Sequence, residues 1–141
     1  MDAIGWNPLN SDESATLGSL KVSFYKGVPI FRKEYGFRSG SFLCILLAQG
    51  DTVDDLRHEW GHTVQQGILG ALKYGLTIGI PSWQDLGNKD YYDRPWEVTA
   101  DYYGGVEGRV HSNHNISAGI AYLALVAILG IMGTLFLIGE Y

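Results

Sequence analysis

From Leu20 the chain alternates apolar and polar positions, with Leu20, Val22 and Phe24 set against Lys21, Ser23 and Tyr25, the period of a strand that buries one face. A turn at Lys26-Gly27 follows. Val28 to Arg32 reads as a second strand, confined by Pro29 to an edge or a strand start, and Phe42 to Ala48 as a third, fully buried one. Residues 1–19, rich in Asn, Ser, Asp and Gly and with little periodicity, read as an irregular lead-in. The period then changes to that of a helix. Thr52 is placed to be its N-cap, with Asp55 where a capping-box acid sits and Asp54 favourable to the helix dipole, and the helix is expected to run to about Gln66. Gly67 to Ile80, apolar and interrupted by glycine, reads as buried helix and turn, and Pro81 to Arg94 as a surface loop. A second helix is expected from Pro95, a favoured first-turn residue, to the Gly104-Gly105 pair.

Ile116 to Ile138 carries no charge and, at about 1.5 Å per residue, reaches roughly 35 Å, enough for a hydrocarbon core of about 30 Å. It reads as a transmembrane helix, a single-pass C-terminal anchor that leaves the preceding domain on the cytoplasmic side; the plainer alternative is a helix buried in the protein or in an oligomer. The expected fold is therefore α+β. A small antiparallel sheet packs on the first helix, a second helix follows, and residues 20–115 form one domain between the lead-in and the span at 116–138.

Composition narrows the function. The net charge of −5, from 15 acidic and 10 basic residues without a Lys/Arg cluster, gives no electrostatic footprint for nucleic acid. The single cysteine, Cys44, excludes an intramolecular disulfide. Met1 to Pro8 has neither a basic nor an apolar signal region, so with Met1 as a true start the domain begins in the cytosol.

Within the first helix stands His58-Glu59-Trp60-Gly61-His62, an H-E-x-x-H motif in the structural context it requires. Residues four apart share a helical face, so two imidazoles can converge on one ion while Glu59 sits within reach of a water on it. Helical-wheel arithmetic puts Val53, Leu56, Trp60 and Val64 on the opposite side, and Gly61 on the flank of the histidines suggests close approach of another backbone. Catalytic zinc takes three protein ligands and keeps one position open. Glu97, at the start of the second helix, is the choice for the third, and Asp101, one turn on, could hold the free ring nitrogen of a ligating histidine. The plainer readings are a favourable helix-start carboxylate for Glu97, a solvated residue for Asp101 and simple helix surface for Gln65 and Gln66. Cys44 reads as a small core hydrophobe; were it the third ligand instead, the chain would look more like a deformylase-type hydrolase. His111 and His114 form a His-x-x-His that could be an auxiliary metal site.

The run H-E-x-G-H-x-x-Q followed by P-W-E-x-x-A-D resembles the gluzincin metallopeptidases, and the stretch from about Leu20 to His114 resembles the small metallopeptidase domains found at the ends of RHS-repeat and other polymorphic-toxin proteins. The resemblance implies a zinc metalloendopeptidase. His58, His62 and Glu97 would bind Zn²⁺, Asp101 would stand behind the ligands, and Glu59 would be the general base for a metal-activated water acting on a peptide or protein substrate. An extended substrate would pair with the strand edge beside the active helix. The chain has no room for the C-terminal helical subdomain of large gluzincins, which leaves Tyr91, Tyr92, His111 and His114 as candidate transition-state stabilisers. The alternative is a catalytically inactive peptidase-like module, anchored in a membrane, that binds metal or peptide without turnover.

Overall fold

The computed structural model describes residues 14–17, 20–33, 39–48 and 50–139. The fold is α+β, with a five-stranded sheet in the order β1-β2-β3-β5-β4. Strands β1 (Ser14–Leu17), β2 (Leu20–Tyr25) and β3 (Val28–Lys33) form an antiparallel meander. Lys26 and Gly27 between β2 and β3 both have positive φ, 47° and 81°, as a type I′ hairpin requires. Part of the expected lead-in is thus a strand, β1; positions 1–13 and 18–19 lie outside the described residues.

The sheet is mixed, which corrects the expected antiparallel one. β5 (Ile45–Ala48) runs parallel to β3, with Ile30 opposite Ile45, and β4 (Gly40–Ser41) folds back on β5 as the outermost strand. A parallel neighbour needs a crossover rather than a tight turn. Nor is the third strand buried on both faces: Ile45 and Leu47 are buried, Leu46 between them is 43% exposed, and Phe42 and Leu43 lie exposed in the preceding turn. An uninterrupted apolar run hides this alternation because both faces carry the same residue type.

α1 (Val53–Leu69) begins with the expected capping box: Thr52 Oγ1 accepts from the Asp55 amide at 3.2 Å, and Asp55 Oδ2 accepts from the Thr52 amide at 2.7 Å. After Gly70 come α2 (Ala71–Tyr74), a π-helical turn (Gly75–Gly79) and α3 (Ile80–Gln84), where a loop is expected from Pro81. This stretch is amphipathic rather than buried, since Tyr74 and Ile78 face the core while Leu72, Leu76 and Trp83 are exposed. α4 (Pro95–Gly104) starts with proline in its first turn and ends at Gly105 in the left-handed region, φ 72°.

Two apolar clusters flank the histidines along α1. Leu56 joins Ile30, Ile45 and Leu47 under the sheet, with Trp60 packed beside them. Leu69 joins Tyr74, Ile78 and Leu123 at the other end. Between them α1 and α4 pack antiparallel at backbone contact: a Cβ on Gly61 would overlap the Ala100 carbonyl, and one on Gly104 would overlap the Arg57 carbonyl, one helical turn away. The close approach anticipated at Gly61 is present, and it is reciprocated from α4.

α5 (Asn113–Gly139) overturns the expected anchor. Among the described residues no helix is long and apolar enough to cross a membrane. The first half of α5 is instead a wall of the domain, so the span expected at 116–138 and the single-pass localisation drawn from it both fall. Gly119 is buried against the Pro95 carbonyl and Thr99, Leu123 belongs to the second cluster, and the Tyr122 hydroxyl donates to the Thr77 carbonyl at 2.8 Å. An uncharged helix can satisfy its apolar surface against a protein core as well as against lipid, and the linear sequence does not tell the two apart.

Candidate metal centre

The α1–α4 contact brings three side chains together. His58 Nε2 and His62 Nε2 lie 3.1 Å apart, and Glu97 Oε2 lies 3.0 Å from the first and 3.3 Å from the second. All three residues are buried, and together they can hold a metal ion. A tetrahedral ion with bonds of about 2.0–2.1 Å sets its ligands about 3.3 Å apart, so the triangle has the required size. Glu97 Oε2 is buried and finds no hydrogen-bond geometry with either imidazole despite their closeness, which is the condition of an atom arranged for a different partner.

Each ligand is held from behind. His58 Nδ1 donates to Asp101 Oδ1 at 2.6 Å and His62 Nδ1 to Gln65 Oε1 at 2.8 Å. The Gln65 amide nitrogen is spent on the Trp96 carbonyl and Thr99 Oγ1, both at 2.7 Å, so its oxygen faces the ring. Both imidazoles therefore carry a proton on Nδ1 and present Nε2 to the centre. Asp101 also accepts from Arg109 Nε and Nη2 and from His111 Nε2, each at 2.8 Å. Glu97 Oε1 accepts from the Ser82 hydroxyl, itself 2.7 Å from the Tyr91 hydroxyl.

Burial on its own would lower the pKa of His58, but the hydrogen bond to Asp101 and the Glu97 carboxylate outweigh it and bring the imidazole up to about 10. Burial would raise Glu97, yet the charges of His62 and His58 hold it well below the usual carboxylate range. Asp101 is likewise held low, burial being overcome by Arg109 and His58. Glu59 goes the other way: burial pushes its carboxyl up, against the pull of His62 and His58.

These shifts carry a sign. In the metal-free protein, the raised His58 contributes stability that is complete below about pH 6.5 and disappears as pH climbs through about 10. The depressed Glu97 and Asp101 contribute stability present above about pH 4.5 and lost as pH falls through their lowered values. Metal-free protein should thus be most stable between these limits. A metal ion must displace the His58 Nε2 proton, so its affinity should rise about tenfold per pH unit through neutrality, with close to one proton released per ion. Titration calorimetry in buffers of differing ionisation enthalpy measures that proton directly; a heat independent of buffer would contradict the protonated His58.

A cleft of about 500 Å³ opens beside the triangle, lined among others by His58, Glu59, Tyr91, Tyr92, Asp51 and Asp55. Glu59 Oε2 is buried and finds no hydrogen-bond partner among the described residues. Of the other expected residues, Tyr91 and Tyr92 reach the cleft, the Tyr92 ring lying 4.0 Å from the Arg109 guanidinium. His111 is occupied with Asp101, and His114 is exposed on the first turn of α5, outside the cleft lining. Among the described residues the group of three or more His, Cys, Asp or Glu side chains close enough to share an ion is His58, His62 and Glu97, which includes neither Cys44 nor His111 and His114.

Three residues were not anticipated in their roles. Gln65 stands three residues after His62, a spacing at which helical side chains meet, so its role was legible in principle. Gln66, read as surface, is buried: its Oε1 accepts from the Leu43 amide at 2.8 Å and steadies a turn in which Leu43 takes φ 60°. Ser82 left no signal, lying in a segment read as loop. Compared with protein-family models, with curated proteins and with solved structures, the chain matches none.

Proposed function

We propose that the chain is a zinc-dependent peptidase of gluzincin type, with His58, His62 and Glu97 as the metal ligands and Glu59 as the general base. The observation that carries this reading is the 3.0–3.3 Å triangle of Nε2, Nε2 and Oε2 beside the buried Glu59 carboxylate, which lines the adjoining cleft. Two histidines and a carboxylate make a set of hard and borderline donors suited to zinc, with a fourth position left over.

When bound, zinc supplies a Lewis acid that polarises the peptide carbonyl and makes water acidic enough to attack near neutral pH. Glu59 accepts the proton of the attacking water and returns it to the amine as the peptide bond breaks, giving a carboxylate and a free amine. Burial raises the basicity of Glu59 toward that task. Asp101 and Gln65 hold the imidazoles in the tautomer that binds through Nε2. In this reading the extended substrate would pair along β4, the outermost strand; its neighbour Ser39, which lines the same cleft as Glu59, supports that position.

Elemental mass spectrometry tests the centre first. The chain should hold one zinc, and Glu97→Ala should bind it at least about tenfold more weakly. Well-folded protein without zinc, under conditions of excess metal, would end the peptidase reading.

A further inference from the structure

We propose that Ser82 is a positioning residue that makes Glu97 a one-oxygen ligand. The inference rests on the metal-centre reading and adds to it the coordination mode of its third ligand. A glutamate can offer a metal one oxygen or both. Here Oε2 faces the imidazoles at 3.0 and 3.3 Å, while Oε1 is turned away and takes a hydrogen bond of 2.5 Å from Ser82 Oγ.

The direction of the proton chain is set by counting. An ionised carboxylate only accepts, and the serine hydroxyl has one proton, which goes to Glu97. The Tyr91 hydroxyl, 2.7 Å from Ser82 Oγ, must then donate to the serine. Charge-assisted O–H···O⁻ bonds of this length are among the stronger hydrogen bonds, and a donor behind the serine polarises it further.

Ser82 is itself fixed in place. It lies in the single turn of α3, whose last residue is followed by Asp85; Asp85 Oδ2 accepts from Arg94 Nε at 2.6 Å, and Arg94 is the N-cap residue immediately before α4. That ion pair ties the end of α3 to the start of the helix that carries Glu97. The consequence is chemical: a glutamate held by one oxygen leaves a coordination position that a two-oxygen glutamate would fill.

Cobalt reads this directly, because the visible absorption of Co²⁺ is intense in four-coordinate sites and weak at higher coordination. The full chain loaded with Co²⁺ should show the intense spectrum. Ser82→Ala, which frees Oε1, should lower the absorbance roughly two-fold or more as the second oxygen enters. Ser82→Thr, which keeps the hydroxyl, should restore it, and Ser82→Cys, a weaker donor, should fall between. Circular dichroism identifies which variants are folded, and the threonine and cysteine variants carry the comparison if alanine is not. Folded Ser82→Ala or Ser82→Cys protein with a wild-type spectrum would overturn the assignment and leave the metal centre standing. Wild-type chain that takes up no cobalt would remove both.

Discussion

Glu59→Gln should slow peptide hydrolysis by roughly 100- to 10,000-fold while metal binding persists. The carboxylate is outside the ligand triangle, so the amide removes no donor to the ion. It removes the carboxylate of α1 that lines the cleft beside the ligand triangle, whereas His58 is committed to Asp101 and the metal centre and Asp55 to the Thr52 cap. A stability measurement sharpens the test. Because burial pushes the Glu59 pKa up, the ionised side chain is unfavourable in the fold at neutral pH, and a neutral isostere should leave the melting temperature of metal-free protein unchanged or higher. Catalysis and stability would then move in opposite directions, as expected of a residue kept for chemistry. Hydrolysis of an unfolded protein at the wild-type rate by Glu59→Gln would sink the assignment.

Gly61→Ala should be as damaging as a methyl group added to any described glycine, Gly104 alone meeting backbone as closely. Judged by helix propensity alone, the change gains about 1 kcal/mol. Against that, the new Cβ overlaps the Ala100 carbonyl, a backbone atom that cannot turn aside as a side chain would. Overpacking typically costs 1–3 kcal/mol, and the upper end applies where backbone meets backbone, leaving a net loss of about 2 kcal/mol and a melting temperature lower by on the order of 10 °C. The strain has a functional readout too. The helices must part at the contact that brings Glu97 to the two histidines, so metal affinity should fall by at least about tenfold, although no ligand has been changed. Thermal unfolding and a competitive metal titration give the two numbers; wild-type values for both would mean that α1 and α4 do not touch at Gly61.

The site was legible where its parts lie close in the chain. His58, Glu59 and His62 share one helix, so a period of 3.6 places them on one face without reference to anything else. The Thr52 cap and the Pro95 start follow from local hydrogen-bonding and dihedral preferences, and both helices begin where those preferences put them. Glu97 and Asp101 were chosen for zinc's need of a third ligand and for their place one turn apart on the second helix, a choice to which the resemblance between motifs added. The fold supplies the physical connection, a pair of glycines that let two helices meet at backbone distance.

What the sequence by itself determined is the local chemistry: one motif helix, the helix after it, and a hairpin at Lys26-Gly27. Tertiary structure alone decided the rest. Whether Phe42 to Ala48 is buried on one face or two depends on what lies across the sheet, and the parallel pairing of β3 with β5 depends on where the crossover lands. Whether the uncharged C-terminal helix meets lipid or Pro95, Thr99 and Leu69 is a question of partners, and apolar surface is indifferent to which partner removes it from water. Ser82 and Gln65 became part of the centre for the same reason, because a buried polar atom must be paired, and only the folded chain shows with whom.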